Sequence, residues 1–347
     1  MNIPNLALRV LSIGWISASA HAASLVVAAA NSSPESRARA DLVCSGHGDQ
    51  ATLLASLTKA PRIKTVFERN PRTLEPTECY GGYSVEWLPG DYYLDGTLTV
   101  PDMEDCAIHA EGSRFHYLLP TGDAVVLTGL SRDRFYFGTI FTDTTGAALR
   151  IKPTEKMPSL MSLVNFTGLI GANQRGVGLC VDSTVENVCT MRFEGTDIRG
   201  FDIGVFVPDA RAPRPGQQGS GKTDTDWYWF SYVRMCHTCI WEQRTGIDCG
   251  NWNVNVDASI SNSVAVRTAG SFGKWFIIMG TMDWHFRPHE GNQTKSIVLD
   301  PGANHNVIEV TPPLDKFAPA VDRSGVTNNV VFYGGQAHSL PMEPSQP

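Results

Sequence analysis

Ionisable residues recur at one place in the repeated strands of this sequence. Laid over one another, Thr196–Arg199, Tyr232–Arg234, Val256–Ala258 and Thr281–His285 bring Asp197 and Arg199, Arg234, Asp257, and Asp283 with His285 onto one strip. If the strands stack roughly 4.8 Å apart, Asp197 and Asp257 stand roughly 9 to 10 Å from each other. That is near the upper limit for inverting hydrolysis of a glycosidic bond, in which one carboxyl protonates the leaving oxygen and the other activates water. Asp257 and Asp283 are closer, and like-charge repulsion would raise one of their pKa values toward a general-acid role. A lyase acting on a uronic acid polymer would use the strip differently. It needs the substrate carboxylate neutralised, by Arg234 or by Ca²⁺, and a base such as His285 to take the α-proton. The plain alternative is a solvated outer face of cross-strand ion pairs, each worth little.

Further binding candidates flank the strip. Arg199 lies on it, and the long connector Pro208–Asp226 places Asp224 and Asp226 where they could approach a groove. Trp227, Tyr228 and Trp229 then alternate across a strand, so that an outward ring, taken as Trp229, could stack on a sugar; Trp284 invites the same reading. Cys236-His237-Thr238-Cys239 has CxxC spacing without the second pair a zinc site would want, so disulfide formation or core packing is expected there and no metal site is assigned. Gly219-Ser220-Gly221-Lys222 lacks the spacing and flanking strand of a phosphate loop.

What would position these residues is a degenerate repeat. From Arg134 onward a β-branched or aromatic strand, a short polar turn and a second apolar strand recur, with copies opening at Arg134, Ser162, Thr190, Asp226, Asn251 and Lys274. The period drifts over roughly 24 to 37 residues, as in solenoids. Strands such as Val254-Asn255-Val256-Asp257 alternate, putting one side-chain set inward and the next outward. No unit could bury its apolar face alone, so stacking must close the core. Phe137, Phe166 and Phe193 are expected to form one inner ladder, and Leu149, Leu179 and Phe206 another. The Asn-Gly hairpin turns that a sandwich would favour are missing.

Composition agrees. Hydrophobic content of 42% supplies a core, while 18% charged residues, 32 glycines and 21 prolines suit many short strands joined by turns. A net charge of -7 gives no basic footprint for nucleic acid. Arg9, the apolar stretch Val10–Ser19 and Ala20-His21-Ala22 occur in the order of a secretory signal peptide, giving residues 1–22 as the signal and 23–39 as a flexible leader. The solenoid is expected over 40–335 and a disordered tail over 336–347. No segment is long and apolar enough to span a membrane, and eight cysteines fit an oxidising, extracellular or periplasmic compartment. Gln50 onward should form a helix with Leu53, Leu54 and Leu57 on one face, closing the first turn.

The stretches ADLVCSGHGDQATLLASL (Ala40–Leu57), VEWLPGDYYLDGTLTVPD (Val85–Asp102) and CAIHAEGSRFHYL (Cys106–Leu118) resemble the opening of the pectate-lyase-like superfamily of right-handed parallel β-helices. There a short helix caps the coil and a "PG-x-Y" turn, here Pro89-Gly90-Asp91-Tyr92, begins the first rungs. The resemblance extends over about residues 40 to 310. It implies an all-β, single-stranded right-handed parallel β-helix with an N-terminal capping helix, and a polysaccharide as partner. It does not select an enzyme family. Gly46-His47-Gly48 and Arg150-Ile151-Lys152 echo polygalacturonase signatures, but without the paired aspartates upstream they are read as chance. The expectation is a secreted carbohydrate-active enzyme, lyase or glycoside hydrolase, needing no cofactor unless Ca²⁺ serves a lyase. A non-catalytic carbohydrate-binding or adhesive β-helix is the alternative, as a monomer or a homotrimer. An enzyme would show a groove of converging carboxylates with shifted pKa values; a binding module, exposed aromatics without them.

Overall fold

The computed structural model describes residues 24–59, 63–67, 77–208, 226–244, 250–257, 260, 262–279, 294–311, 320–333 and 336–338. They form an all-β parallel solenoid of about 7 turns. The walls are a principal sheet of 14 strands, a second of 9 and a third of 6. Nearly every pairing is parallel and joins a strand to its equivalent one turn on, as from Arg134–Thr142 to Leu163–Gly171 to Arg192–Arg199.

Several turns enter the principal sheet through a similar two-residue corner. The first corner residue sits in left-handed backbone conformation: Asp105, Arg132, Met161, Thr190, Phe272 and His305 have φ between 49° and 58°. At five turns the residue just before the strand turns its side chain inward to accept the backbone N–H of its counterpart one turn earlier. Asp133 accepts from Cys106 (2.8 Å), Ser162 from Asp133 (2.9 Å), Asp226 from Met191 (2.9 Å), Asn306 from Gly273 (3.1 Å) and Asn329 from Asn306 (3.1 Å). A bend removes that N–H from the sheet ladder, and a buried donor must find a partner. Asn306 is fully buried, and its Nδ2 also donates to the Gly270 carbonyl at 2.8 Å. We expect Asn306→Leu to lower the unfolding free energy by about 2 to 3 kcal/mol by stranding these groups, with Asn306→Asp losing less. Urea titration of both variants checks this.

Inside, side chains stack in columns. Phe135, Val164, Phe193, Tyr228, Trp252, Trp275 and Ile308 follow one another in register. Tyr228 and Trp252 stack at 3.8 Å, and Trp252 and Trp275 at 4.7 Å. Each such buried side chain contributes roughly 1.5 to 3 kcal/mol. Two expected ladders are corrected here. Phe137 and Phe166 do pair, but Gly195 follows them, and Phe193 lies one column over. The Phe166 ring fills the space above Gly195, where a Cβ would come within 2.3 Å of it. Leu149 and Leu179 are followed by Val205; Phe206 faces outward beside Trp241.

The boundaries also differ from expectation. Leu25–Ala28, expected to be flexible leader, is a strand paired with Ser84–Trp87, and Pro34–Arg39 is a short helix with Ser33 at its N-cap. Its run of small residues hid the buried Val27 and Ala28. Gln336–His338, expected in the tail, pairs antiparallel with Val330–Tyr333. The helix Gln50–Lys59 buries Leu53 and Leu57 in the core, while Leu54 is exposed; the Trp87 indole donates to Ser56 at 3.1 Å. The segment 1–22 lies outside the described residues.

Candidate functional site

The outer face of the principal sheet carries the site residues that the sequence brings together. Register places Arg199 beside Arg234, and Arg234 beside Asp257, as expected. The described charges on this strip pair with one another. The Arg234 guanidinium forks onto Asp197, with Nε donating to Oδ1 at 2.9 Å and Nη2 to Oδ2 at 3.0 Å. Arg199 approaches the same carboxylate at 3.4 Å, and the Tyr232 ring lies 5.7 Å from the Arg234 guanidinium. The Asp197 carboxylate raises the Arg234 pKa, with Asp257 adding to the effect. Both Asp197 oxygens already face a cation, and Arg234 is committed to a protein carboxylate rather than a substrate one. Asp224, Asp283, Trp284 and His285 lie outside the described residues.

Asp226 is corrected outright. It is fully buried, the inward residue of its corner, not a groove residue. It shares the interior with Glu242 and Arg244, also buried. Arg244 donates to Glu242 through Nε at 2.7 Å and Nη2 at 2.5 Å, and its Nη1 lies 3.5 Å from Asp226. Burial pushes the Asp226 carboxyl up to about 7, against the pull of Arg244. Burial likewise raises Asp133, another inward corner residue, to about 7. The strongly raised carboxyls among the described residues therefore serve the frame.

A pH dependence follows from Asp226. Its folded pKa exceeds the unfolded value near 4, so between roughly pH 4 and pH 7 the folded state binds more protons and stability falls as pH rises. Asn at this position keeps the acceptor for Met191 without the buried charge. The melting temperature of Asp226→Asn minus that of wild type should grow from pH 4 to pH 8; a difference independent of pH would refute the assignment.

Trp229 stands where expected and has company that the sequence reading missed. Trp227 and Trp229 are 57% and 55% exposed, with Tyr228 between them pointing inward. Register puts Asn251, Lys274 and Val307 beyond Trp227 in one outer column, and Asn253, Phe276 and Glu309 beyond Trp229 in the next. Together they line a groove of about 640 Å³, a size usual for ligand sites. Arg192, at the groove's near end, pairs with Glu194 at 2.5 Å and lies over the Trp229 ring at 5.9 Å. Beneath the groove, the stacked Tyr228, Trp252 and Trp275 rings make a stiff floor. Strict alternation was the available signal: with Tyr228 inward, both neighbouring tryptophans must face out.

The remaining motifs fall to structural roles. Arg150 bridges Asp123 (2.7 Å) and Asp182 (3.0 Å) along the second sheet. Of the two outcomes expected for the CxxC pair, disulfide or core packing, the structure has core packing: Cys236 and Cys239 are both buried free thiols. Cys236 Sγ donates to the Arg234 carbonyl at 3.2 Å, and burial pushes its pKa up to about 12, far from the reactive range. Among the described residues no three His, Cys, Asp or Glu side chains are grouped to hold a metal ion, so the Ca²⁺ of a lyase reading has no described ligand set. Comparison with protein-family models, with curated proteins and with solved structures finds no match.

Proposed function

We propose that this chain is a secreted carbohydrate-binding β-helix that holds polysaccharide against the outer face of its principal sheet. One observation carries the reading: Trp227 and Trp229 present two exposed indoles on one strand over a groove lined by the amides of Asn251 and Asn253. Indole faces offer sugar C–H surfaces a flat apolar contact, and side-chain amides serve hydroxyls as donor and acceptor at once. Secretion rests on the order of charge, apolar run and cleavage site in residues 1–22. The Pro89–Tyr92 turn and the helix Gln50–Lys59 support the finer placement among right-handed, pectate-lyase-like helices, with that helix closing the first turn.

Cleavage is the second reading. It is favoured by the outer cluster of Asp197, Arg199, Arg234 and Asp257, which Asp283 and His285 would have to complete. One panel separates the two. Purified protein is incubated with neutral and uronic acid polysaccharides, with and without Ca²⁺, following retention, unsaturated-product absorbance and new reducing ends. Retention without product supports binding. Product that disappears in Asp197→Asn or Asp257→Asn moves the conclusion to cleavage. No retention and no product would sink both.

A further inference from the structure

The charges around the groove, rather than its aromatic rings, bear on which polysaccharide fits. Among the described residues, Arg192, Lys274 and Glu309 line it, and Glu194, paired with Arg192, stands beside Trp229, so these four charges sum to zero. Arg192, the cation nearest the indoles, is turned onto Glu194 and over Trp229. A uronate carboxylate entering beside Trp229 would meet the Glu194 carboxylate and find Arg192 already paired. A desolvated like-charge contact is a strong discriminator against an anionic ligand. The polar groups between the rings, Asn251 and Asn253, are uncharged.

The rings also set a direction. Trp229, Asn253, Phe276 and Glu309 follow one another on successive turns, parallel to the solenoid axis. Trp229 and Phe276, both exposed, are two turns apart, roughly 9.6 Å. That is close to two pyranose units of an extended chain, whose alternate rings present like faces. Asn253 stands at the unit between. Along the strand, by contrast, Trp227 and Trp229 are roughly 6.8 Å apart, and Ser231 separates them from the next exposed ring, Tyr232. Resting on the carbohydrate-binding reading above, we infer that the groove takes a neutral, extended polysaccharide laid along the solenoid axis, with Trp229 and Phe276 stacking on alternate sugars.

The test is calorimetric titration of the full chain with cellohexaose, xylohexaose, mannohexaose and hexagalacturonate, at about 0.1 M and about 1 M salt, where the screening length falls from about 10 Å to about 3 Å. At least one neutral hexasaccharide should bind, at least about tenfold tighter than hexagalacturonate, with little change in affinity between the salts. Trp229→Ala and Phe276→Ala should each weaken it about tenfold, with melting temperatures close to wild type because both rings are exposed. Tightest binding to hexagalacturonate, lost at high salt, would overturn the neutral class and leave carbohydrate binding standing. Loss in Trp227→Ala and Trp229→Ala with none in Phe276→Ala would overturn the axial direction. Absence of binding to every oligosaccharide and polysaccharide would remove the underlying reading and this inference with it.

Discussion

Replacing Arg244 by Met should lower the unfolding free energy by about 3 to 5 kcal/mol, the cost of leaving buried carboxylates without their cation. Arg244, Glu242 and Asp226 are each no more than 1% exposed. The arginine faces both carboxyls, held by Nε and Nη2 on Glu242 and by Nη1 near Asp226. Without it the two anions repel each other at a site water does not reach, and both must take up protons to stay inside. The deficit should therefore shrink in acid, where those protons are available. A triple replacement, Asp226→Asn, Glu242→Gln and Arg244→Met, should recover most of the loss, since a neutral interior carries no desolvation penalty. Guanidinium titrations at pH 5 and pH 8 measure both effects. A single variant as stable as wild type at pH 8 would show that the triad contributes nothing to the frame beneath the tryptophan strand.

The second large effect is on binding. Trp227→Ala and Trp229→Ala should each weaken polysaccharide affinity by about tenfold or more, and the double variant should abolish measurable retention. Neither change should disturb folding, since both indoles lie more than half exposed and the strand is held from inside by Tyr228 and Phe230. Losses from the pair need not add, because the two indoles are neighbours lining one groove. Affinity electrophoresis in polysaccharide-containing gels, with melting temperatures as the folding control, gives the comparison. Retention unchanged in the double variant would place the binding surface elsewhere.

The solenoid itself was legible because alternation and spacing recur through the chain, and stacking is what lets short amphipathic strands bury their faces. Register was legible only where a mistake would expose a core face. Aligning Arg199, Arg234 and Asp257 succeeded because the flanking Ile198, Val233 and Val256 must all point inward. Phe206 failed by one residue, which turned it to the opposite face, since Val205 and Phe206 are alike in hydrophobicity and differ only in which fits beneath Leu179. Asp226 was misplaced because a charged residue beside a long connector looks solvent-facing. Its partner is a backbone N–H one turn earlier, and no local pattern reports that contact. The recurrence of Asp133, Ser162, Asp226, Asn306 and Asn329 just before five of the principal strands was the faint signal. The groove was half legible: Trp229 stood out by type, but Phe276 and the asparagines join it only through register across turns.

The placement of polysaccharide on the Trp227–Trp229 face is tested most directly by footprinting. Brief N-bromosuccinimide oxidation followed by peptide mass analysis reports each tryptophan's accessibility. In free protein Trp227 and Trp229 should oxidise fast, and Trp87, Trp252 and Trp275, which are almost fully buried, slowly. With saturating bound polysaccharide, oxidation of Trp227 and Trp229 should fall severalfold while the buried set is unchanged. Equal oxidation of the two exposed indoles with and without bound polysaccharide would contradict the account.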